Sequence, residues 1–331
     1  VSLQFKYAGK TDKGLVRPAN EDFLHINESN AVFAVCDGMG GHQAGEVASM
    51  MASDTIMTTF NYFQDDLHND GNLDIKHALP LKGELLLKSI RLANRAIYNK
   101  AAGSSSLYGM GTTIVAIALE DDMISVAHVG DSRAYKLNEK EINPLTIDHS
   151  WVAEIQQNQH ISAEEASSVV GKNIITRALG VHDTVEIDYR LIRVKPGDKF
   201  ILCSDGLCGY ADDEEIFNSI RKIRDDNNRI VDNLIQLAND RGGADNVTVI
   251  VVEITDIKQT DLPEVERFTL PSETSEILKY EDKWITKIND FIAHKDESQK
   301  IEKPTNKTTL FIIFIIFIII AVAIIYFTYH K

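Results

Sequence analysis

Four times in this chain an apolar run with strand character ends on, or begins beside, an aspartate. Ala31 to Cys36 runs into Asp37-Gly38, Ile124 to Val129 into Gly130-Asp131-Ser132-Arg133, and Phe200 to Cys203 into Ser204-Asp205-Gly206, while Asp245-Asn246 precedes Val247 to Ile254. Rigid backbone holds a strand end, so a carboxylate placed there stays where the fold puts it. Several such carboxylates that converge require a cation to offset their charge. The pattern predicts a site for a hard metal ion.

The order of the elements restricts the fold further. Two helix-like segments come together after the first strands, Ala44 to Phe60 and Gly83 to Ala101, and in the second Leu86, Ile90, Ala93 and Ile97 share a face. Strands then dominate from Thr112 to Val129 and from Val185 to Cys203. A third helical segment, Arg229 to Arg241, stops at Gly242-Gly243, a suitable left-handed cap. Grouped strands with paired helices between the groups predict an α+β fold with antiparallel sheets, not a doubly wound nucleotide fold. The phosphate-binding GxxxxGK[ST] loop, a strand-linked GxGxxG and the GxSxG elbow are all missing from the sequence.

Charge and cysteine usage remove other classes. The 49 acidic against 34 basic side chains give a net charge of −15, opposite to what a nucleic-acid partner requires. The three cysteines, Cys36, Cys203 and Cys208, form neither a zinc-ligand spacing nor an even disulfide framework, which fits a reducing compartment. With 44% hydrophobic residues in 331, the chain can bury a sizeable core.

The carboxyl-terminal end has a different composition. Leu310 to Phe327 carries no charge, Gly or Pro, and as a helix it would span about 27 Å at about 1.5 Å per residue, close to the thickness of a bilayer core. Lys300, Lys303 and Lys307 precede it and only His330 and Lys331 follow. By the positive-inside rule the expectation is a single-pass anchor with the preceding residues on the cytoplasmic side of the cell membrane. Residues 256–309 read as a linker, with an amphipathic helix over Ser275 to His294.

Six short motifs now stand in order. Thr11-Asp12-Lys13-Gly14-Leu15-Val16-Arg17-Pro18-Ala19-Asn20-Glu21-Asp22 is followed by Asp37-Gly38-Met39-Gly40-Gly41-His42, Gly111-Thr112-Thr113, Gly130-Asp131-Ser132-Arg133, Ser204-Asp205-Gly206-Leu207 and Asp245-Asn246-Val247-Thr248. Over about residues 4 to 254 this series resembles the bacterial form of the PP2C family of metal-dependent serine/threonine protein phosphatases. The resemblance implies a central β-sandwich of two antiparallel sheets flanked by helices, in a domain of residues 1–255. It also implies a pair of Mn²⁺ or Mg²⁺ ions at one end of the sandwich, with a third, weaker site. In such a centre two divalent cations bind a bridging water, lower its pKa and hold it in line with phosphorus. The expected bridging ligand is Asp37, with the Gly38 carbonyl on one ion. By resemblance Asp205 and Asp245 bind the other, Glu21 and Asp22 act nearby through bound waters, and Asp131 completes the third site with Asp205. Arg17 is the expected ligand for substrate phosphate, because a guanidinium offers two parallel donors to phosphoryl oxygens.

Three matters stay open at this level. Eukaryotic members of the family place a histidine directly after the metal-binding Asp-Gly, where this chain has Met39, so the proton donor to the leaving group is either His42, a bound water or neither. Thr146 to Gly180 resembles the family's flap, a segment beside the metal site. The expected partners are phosphorylated proteins, namely Ser/Thr kinases and their substrates. Two alternatives remain, a phosphatase restricted to one regulatory partner and an inactive tethered module that binds phosphoprotein.

Overall fold

Strand β11 (Val247–Asp256) shows how the sequence builds its layers. Successive side chains on a strand point to opposite faces. Ile250, Val252 and Ile254 enter one buried cluster with Phe33, Val115, Val126, Ile192 and Phe200, and Val247, Val249 and Val251 enter another with Leu207, Ile216, Ile230 and Leu234. Both faces are therefore covered, which is why the strand reads as continuously apolar. One face lies inside a sandwich of two sheets and the other meets helices.

The computed structural model describes residues 3–40, 43–69, 78–138, 140–159, 174–223 and 226–302. The first sheet has the order β1 (Gln4–Asp12), β11, β10 (Lys199–Cys203), β7 (Arg133–Leu137) and β8 (Ile142–Pro144). The second runs β12 (Val265–Leu270), β9 (Ile187–Arg193), β6 (Met123–Val129), β5 (Ile114–Glu120), β3 (Val32–Met39) and β2 (Asp22–Asn27), and β4 (Gly111–Thr112) pairs with β3. Every named pairing is antiparallel. Helices α1 (Gln43–Tyr62), α2 (Gln64–Asn69) and α3 (Leu81–Ala102) lie together, with α1 and α3 packed on the second sheet. A short helix α4 (Trp151–Gln159) follows β8. The first sheet is covered by α5 (Asp205–Cys208), α6 (Asp213–Ile220) and α7 (Asn227–Asp240). This is the α+β sandwich flanked by helices.

Contacts group the chain into two compact units, residues 1–285 and 286–331. The first extends past the segment expected to be linker, and that expectation is corrected here. Residues 265–270 form β12, whose Leu270, Phe268 and Val265 pair with Ile187, Tyr189 and Leu191 of β9. The crossing into β12 is fastened by the Arg193 guanidinium donating to the Leu262 carbonyl at 2.6 Å and by the Arg193 N–H donating to Glu264 Oε1 at 2.8 Å. Beyond it, the backbone N–H of Val185 donates to Glu273 Oε2 at 2.8 Å, and Arg91, buried, lies 3.4 Å from Glu273 Oε1. Helix α8 (Ser275–Glu302) follows. In its first turns Arg95 binds both oxygens of Asp282, at 2.7 and 2.9 Å, and Trp284, 5% exposed, meets Phe63 edge-on with ring centroids 5.8 Å apart.

The expected apolar span over 310–327 lies outside the described residues. Among the described residues no helix is long and apolar enough to cross a membrane. The longest, α8, carries Glu276, Lys279, Glu281, Asp282 and Lys283 within its first three turns, charges that a hydrocarbon core does not accept without large cost. The expectation of a single-pass protein on the cytoplasmic side of a membrane is corrected on that finding.

If residues 256–285 belong to the folded body, Trp284→Ala removes a buried aromatic and should lower stability by about 3 kcal/mol. Urea denaturation of the full chain measures this. A change within about 0.5 kcal/mol, as for a residue on a tether, would contradict the docking.

Candidate functional site

Antiparallel pairing brings the strand-end aspartates to one edge. In the β2–β3 hairpin Asp22 is the register partner of Asp37. Asp131 lies in the turn from β6 to β7, Asp205 is the first residue of α5 directly after β10, and Asp245 stands two residues before β11. A cleft at this edge is lined by Arg17, Glu21, Asp37, Gly38, Asp131, Asp205 and Asp245, with Thr113 and Asn246 between them. Asp22 sits beneath it, 6% exposed. His42 lies outside the described residues, as do residues 160–173 of the expected flap.

Neighbouring hydroxyls and amides hold these groups in place. Asp37 donates its N–H to Thr113 Oγ1 at 3.1 Å, while its carbonyl accepts from Thr112 Oγ1 and from the Thr113 N–H, both at 2.9 Å. Thr113 Oγ1 in turn lies 2.7 Å from Ser132 Oγ, beside Asp131. Ser204 and Thr248 each donate a hydroxyl to Asp22 Oδ2 at 2.7 Å. Asn246 gathers the loop between β1 and β2. Its Nδ2 donates to the carbonyls of Lys13 and Ala19, both at 2.9 Å, and its Oδ1 accepts the Glu21 N–H at 2.8 Å. The sequence motifs contain Thr113 and Asn246, yet nothing in their spacing shows this role, because a side chain that braces backbone leaves no periodic signature.

Two glycines let the pieces approach closely. Gly14 has φ +75°, and a Cβ there would meet the Asp245 carbonyl and lie 2.8 Å from that of Gly243. The loop carrying Arg17 is thereby closed onto Asp245, and Arg17 Nη2 donates to Asp245 Oδ2 at 2.7 Å with half of the arginine side chain still exposed. At Gly38 a Cβ would collide with the Gly45 carbonyl and lie 2.6 Å from that of Glu21. Only a bare backbone fits between β3, β2 and the start of α1.

The electrostatics of this edge are severe. Burial, reinforced by the charges of Asp22, Asp205 and Asp131, pushes the Asp37 carboxyl well above the usual range, and Asp37 and Asp205 are close enough to share a hydrogen bond. Burial likewise pushes Asp22 up to about 7, against the lowering effect of its two hydroxyl donors. Asp131 also rises to about 7, chiefly through burial and then through Asp205. Asp205 is raised by burial and by Asp245, with Arg17 acting the other way. These shifts mean that the carboxylates, as placed, cannot all remain charged without a counterion. Asp22 Oδ1 is a second sign, being buried with no hydrogen-bond partner. Oxygen-only donors of this kind suit Mg²⁺ or Mn²⁺ rather than zinc.

Comparison with known proteins agrees with this geometry. The family described as Protein phosphatase 2C matches residues 17–247. The chain is 35% identical over 261 residues to the serine/threonine protein phosphatase PstP of Mycobacterium tuberculosis, a match that takes in 77% of this chain and 46% of the relative, so it spans about half of that protein. It is 36% identical over 253 residues to the serine/threonine phosphatase stp of Listeria monocytogenes, covering 74% of this chain and 94% of the relative. The crystal structure of the catalytic domain of PstP in complex with two manganese ions superposes with a TM-score of 0.65 at 33% identity, over 77% of this chain and 100% of that one. From its sandwich, its ordered motifs and these matches, the chain belongs to the protein phosphatase 2C family.

Proposed function

We propose that this chain is a protein phosphatase that hydrolyses phosphoserine and phosphothreonine with two divalent ions, Mn²⁺ or Mg²⁺. The observation that carries this reading is the convergence of Asp37, Asp131, Asp205 and Asp245 on one cleft, above the buried Asp22 and beside the half-exposed Arg17. Asp37, the Gly38 carbonyl, Asp205 and Asp245 would hold the two ions, with Glu21 and Asp22 close by. Asp131 with Asp205 would take a third ion more weakly. Bound there, the ions would supply a nucleophilic water at neutral pH and positive charge toward the phosphate.

The remaining chemistry falls to the chain's own residues. A phosphomonoester dianion is repelled by a cleft of carboxylates, so charge neutralisation must precede substrate entry. Arg17 stands half exposed at the cleft, oriented by Asp245 at 2.7 Å. Its remaining donors can turn to phosphoryl oxygens. Thr112, Thr113 and Asn246 act on backbone, fixing Asp37 and the Arg17 loop before substrate arrives. His42 is the candidate for the proton on the leaving hydroxyl. The substrates would be phosphorylated proteins, including Ser/Thr kinases and the proteins those kinases modify.

Two results should follow. With p-nitrophenyl phosphate and a phosphothreonine peptide, wild-type turnover should require Mn²⁺ or Mg²⁺ and vanish on chelation, and Asp37→Asn should fall to the chelated level. Arg17→Ala should keep metal dependence but lose about 10- to 100-fold in kcat/KM, the worth of a charged hydrogen bond to phosphate. Full turnover by Asp37→Asn would rule out its assigned place.

The second result concerns pH. Asp22 and Asp131 titrate at about 7 in the ion-free protein instead of at 3.8. The ion-free fold therefore holds protons that the unfolded chain has already released, and its stability falls as pH rises from about 4 to about 7. Cations that take the place of those protons bind more strongly once the protons are gone. The rise in Tm on adding Mn²⁺ should be larger at pH 7.5 than at pH 5.5, and an equal rise at both would contradict the carboxylate cage.

A further inference from the structure

Outside the cleft, a second polar cluster is buried between β6, β9 and the segment after β8. His128 and Asp188 are register partners on β6 and β9. The ring of His149 stacks on that of His128 with centroids 4.5 Å apart and planes 20° from parallel. Ligand atoms of His128, His149 and Asp188 fall within 4.8 Å of one another, a spacing that a metal ion could use. The charges around it argue otherwise. Arg177 Nη1 donates to Asp188 Oδ1 at 3.1 Å and Arg267 Nη1 lies 3.8 Å from Oδ2. Two guanidiniums already neutralise the single carboxylate, and an added divalent cation would meet both of them.

The hydrogen bonds assign a different task. His149 Nδ1 accepts the Gly130 N–H at 3.1 Å, and its Nε2 lies 3.4 Å from Arg177 Nη1 and 3.6 Å from Asp188 Oδ2. The His149 N–H donates back to the Gly130 carbonyl at 2.9 Å. The preceding residue, Asp148, accepts two hydrogen bonds from Arg133, at 2.8 and 2.7 Å. Residues 148 and 149 thus grip the turn on both sides of Asp131. Asp188, which faces the His149 ring and shares Arg177 with it, receives a further hydrogen bond from Thr269 Oγ1 at 2.7 Å. Thr269 and Arg267 belong to β12, beyond the residues matched by the family.

We infer that β12 is a positioning element for the catalytic cleft, acting from Thr269 through Asp188 and His149 on the Gly130–Asp131 turn. The inference rests on the reading of Asp131 as a ligand of the weakest ion. Thr269, Asp188 and His149 are not among the residues that line the cleft. They fix the backbone from which Asp131 projects, and the strand that supplies the first of them lies beyond the residues that the family matches.

The test uses the full chain with Thr269→Val, which removes the donor at nearly constant volume on an exposed strand position, and Thr269→Ser, which restores it. Mn²⁺ binding is followed by calorimetry without substrate, beside the Mn²⁺ dependence of p-nitrophenyl phosphate hydrolysis and the Tm of the ion-free protein. Thr269→Val should weaken the last Mn²⁺ step about 3- to 10-fold, less than the full worth of a charged hydrogen bond because the effect reaches Asp131 through Asp188 and His149, and should leave the tighter steps as in wild type. Half-activation should need correspondingly more Mn²⁺, and Thr269→Ser should return both to wild type. Binding curves of Thr269→Val that superimpose on wild type would overturn this inference alone, as would equal weakening of every step together with a lowered Tm. A wild-type chain that binds Mn²⁺ without hydrolysing phosphate would overturn the proposed activity, while the binding curves still decide the inference. A wild-type chain that binds no Mn²⁺ would overturn both.

Discussion

The cost of holding several carboxylates away from water and beside one another is the constraint around which this molecule is arranged. Asp22, Asp37, Asp131 and Asp205 come from four places in the sequence to one edge of the sandwich, where burial first and then neighbouring carboxylates push each of them up. A fold tolerates such a cluster only where the backbone beneath it is over-determined. That is the task of the register pair Asp22 and Asp37, of the hydroxyls of Thr112, Thr113, Ser204 and Thr248, and of the Asn246 amide. The sandwich core stands behind them, with Phe33, Phe200 and Ile250 packed so that neither sheet can yield.

This arrangement also explains why the catalytic edge was largely legible in the sequence. An aspartate at the end of an apolar run is visible without knowing which strands pair, because strand ends are marked by composition on one side and a turn on the other. Asp37, Asp131, Asp205 and Asp245 could be found that way. The pairing that makes them neighbours could not, since antiparallel register joins residues more than a hundred positions apart, as with Thr11 and Thr248 on β1 and β11. The resemblance to a family supplied what periodicity lacked.

Bracing residues and the carboxyl-terminal segment were legible less well. Thr113 and Asn246 act on backbone groups whose positions only the fold reveals. Residues 256–274 carry Pro263 and Pro271 and little apolar periodicity, and so read as linker, yet β12 needs only Val265 and Leu270 buried because its register partner β9 supplies the rest of the contact. Burial of Glu273, before α8, and of Glu281 within it was equally invisible, since charged residues ordinarily mark a solvated surface. Here Arg91 lies beside Glu273, and burial pushes the Glu281 carboxyl up to about 8.

The region matched by the family and the strand beyond it meet at Asp188. Strand β12 contributes a hydroxyl and a guanidinium to a carboxylate that faces His149, and His149 holds the turn bearing Asp131. By our inference β12 bears on the metal-dependent centre without entering its cleft, through register and a few hydrogen bonds.

The most direct test of the carboxylate cage is a crystal structure of the full chain grown with Mn²⁺ and recorded at the manganese absorption edge. Anomalous peaks among Asp37, the Gly38 carbonyl, Asp205 and Asp245 are the predicted result. Peaks confined to His128, His149 and Asp188, or none at the cleft with the aspartates in the same places, would contradict it.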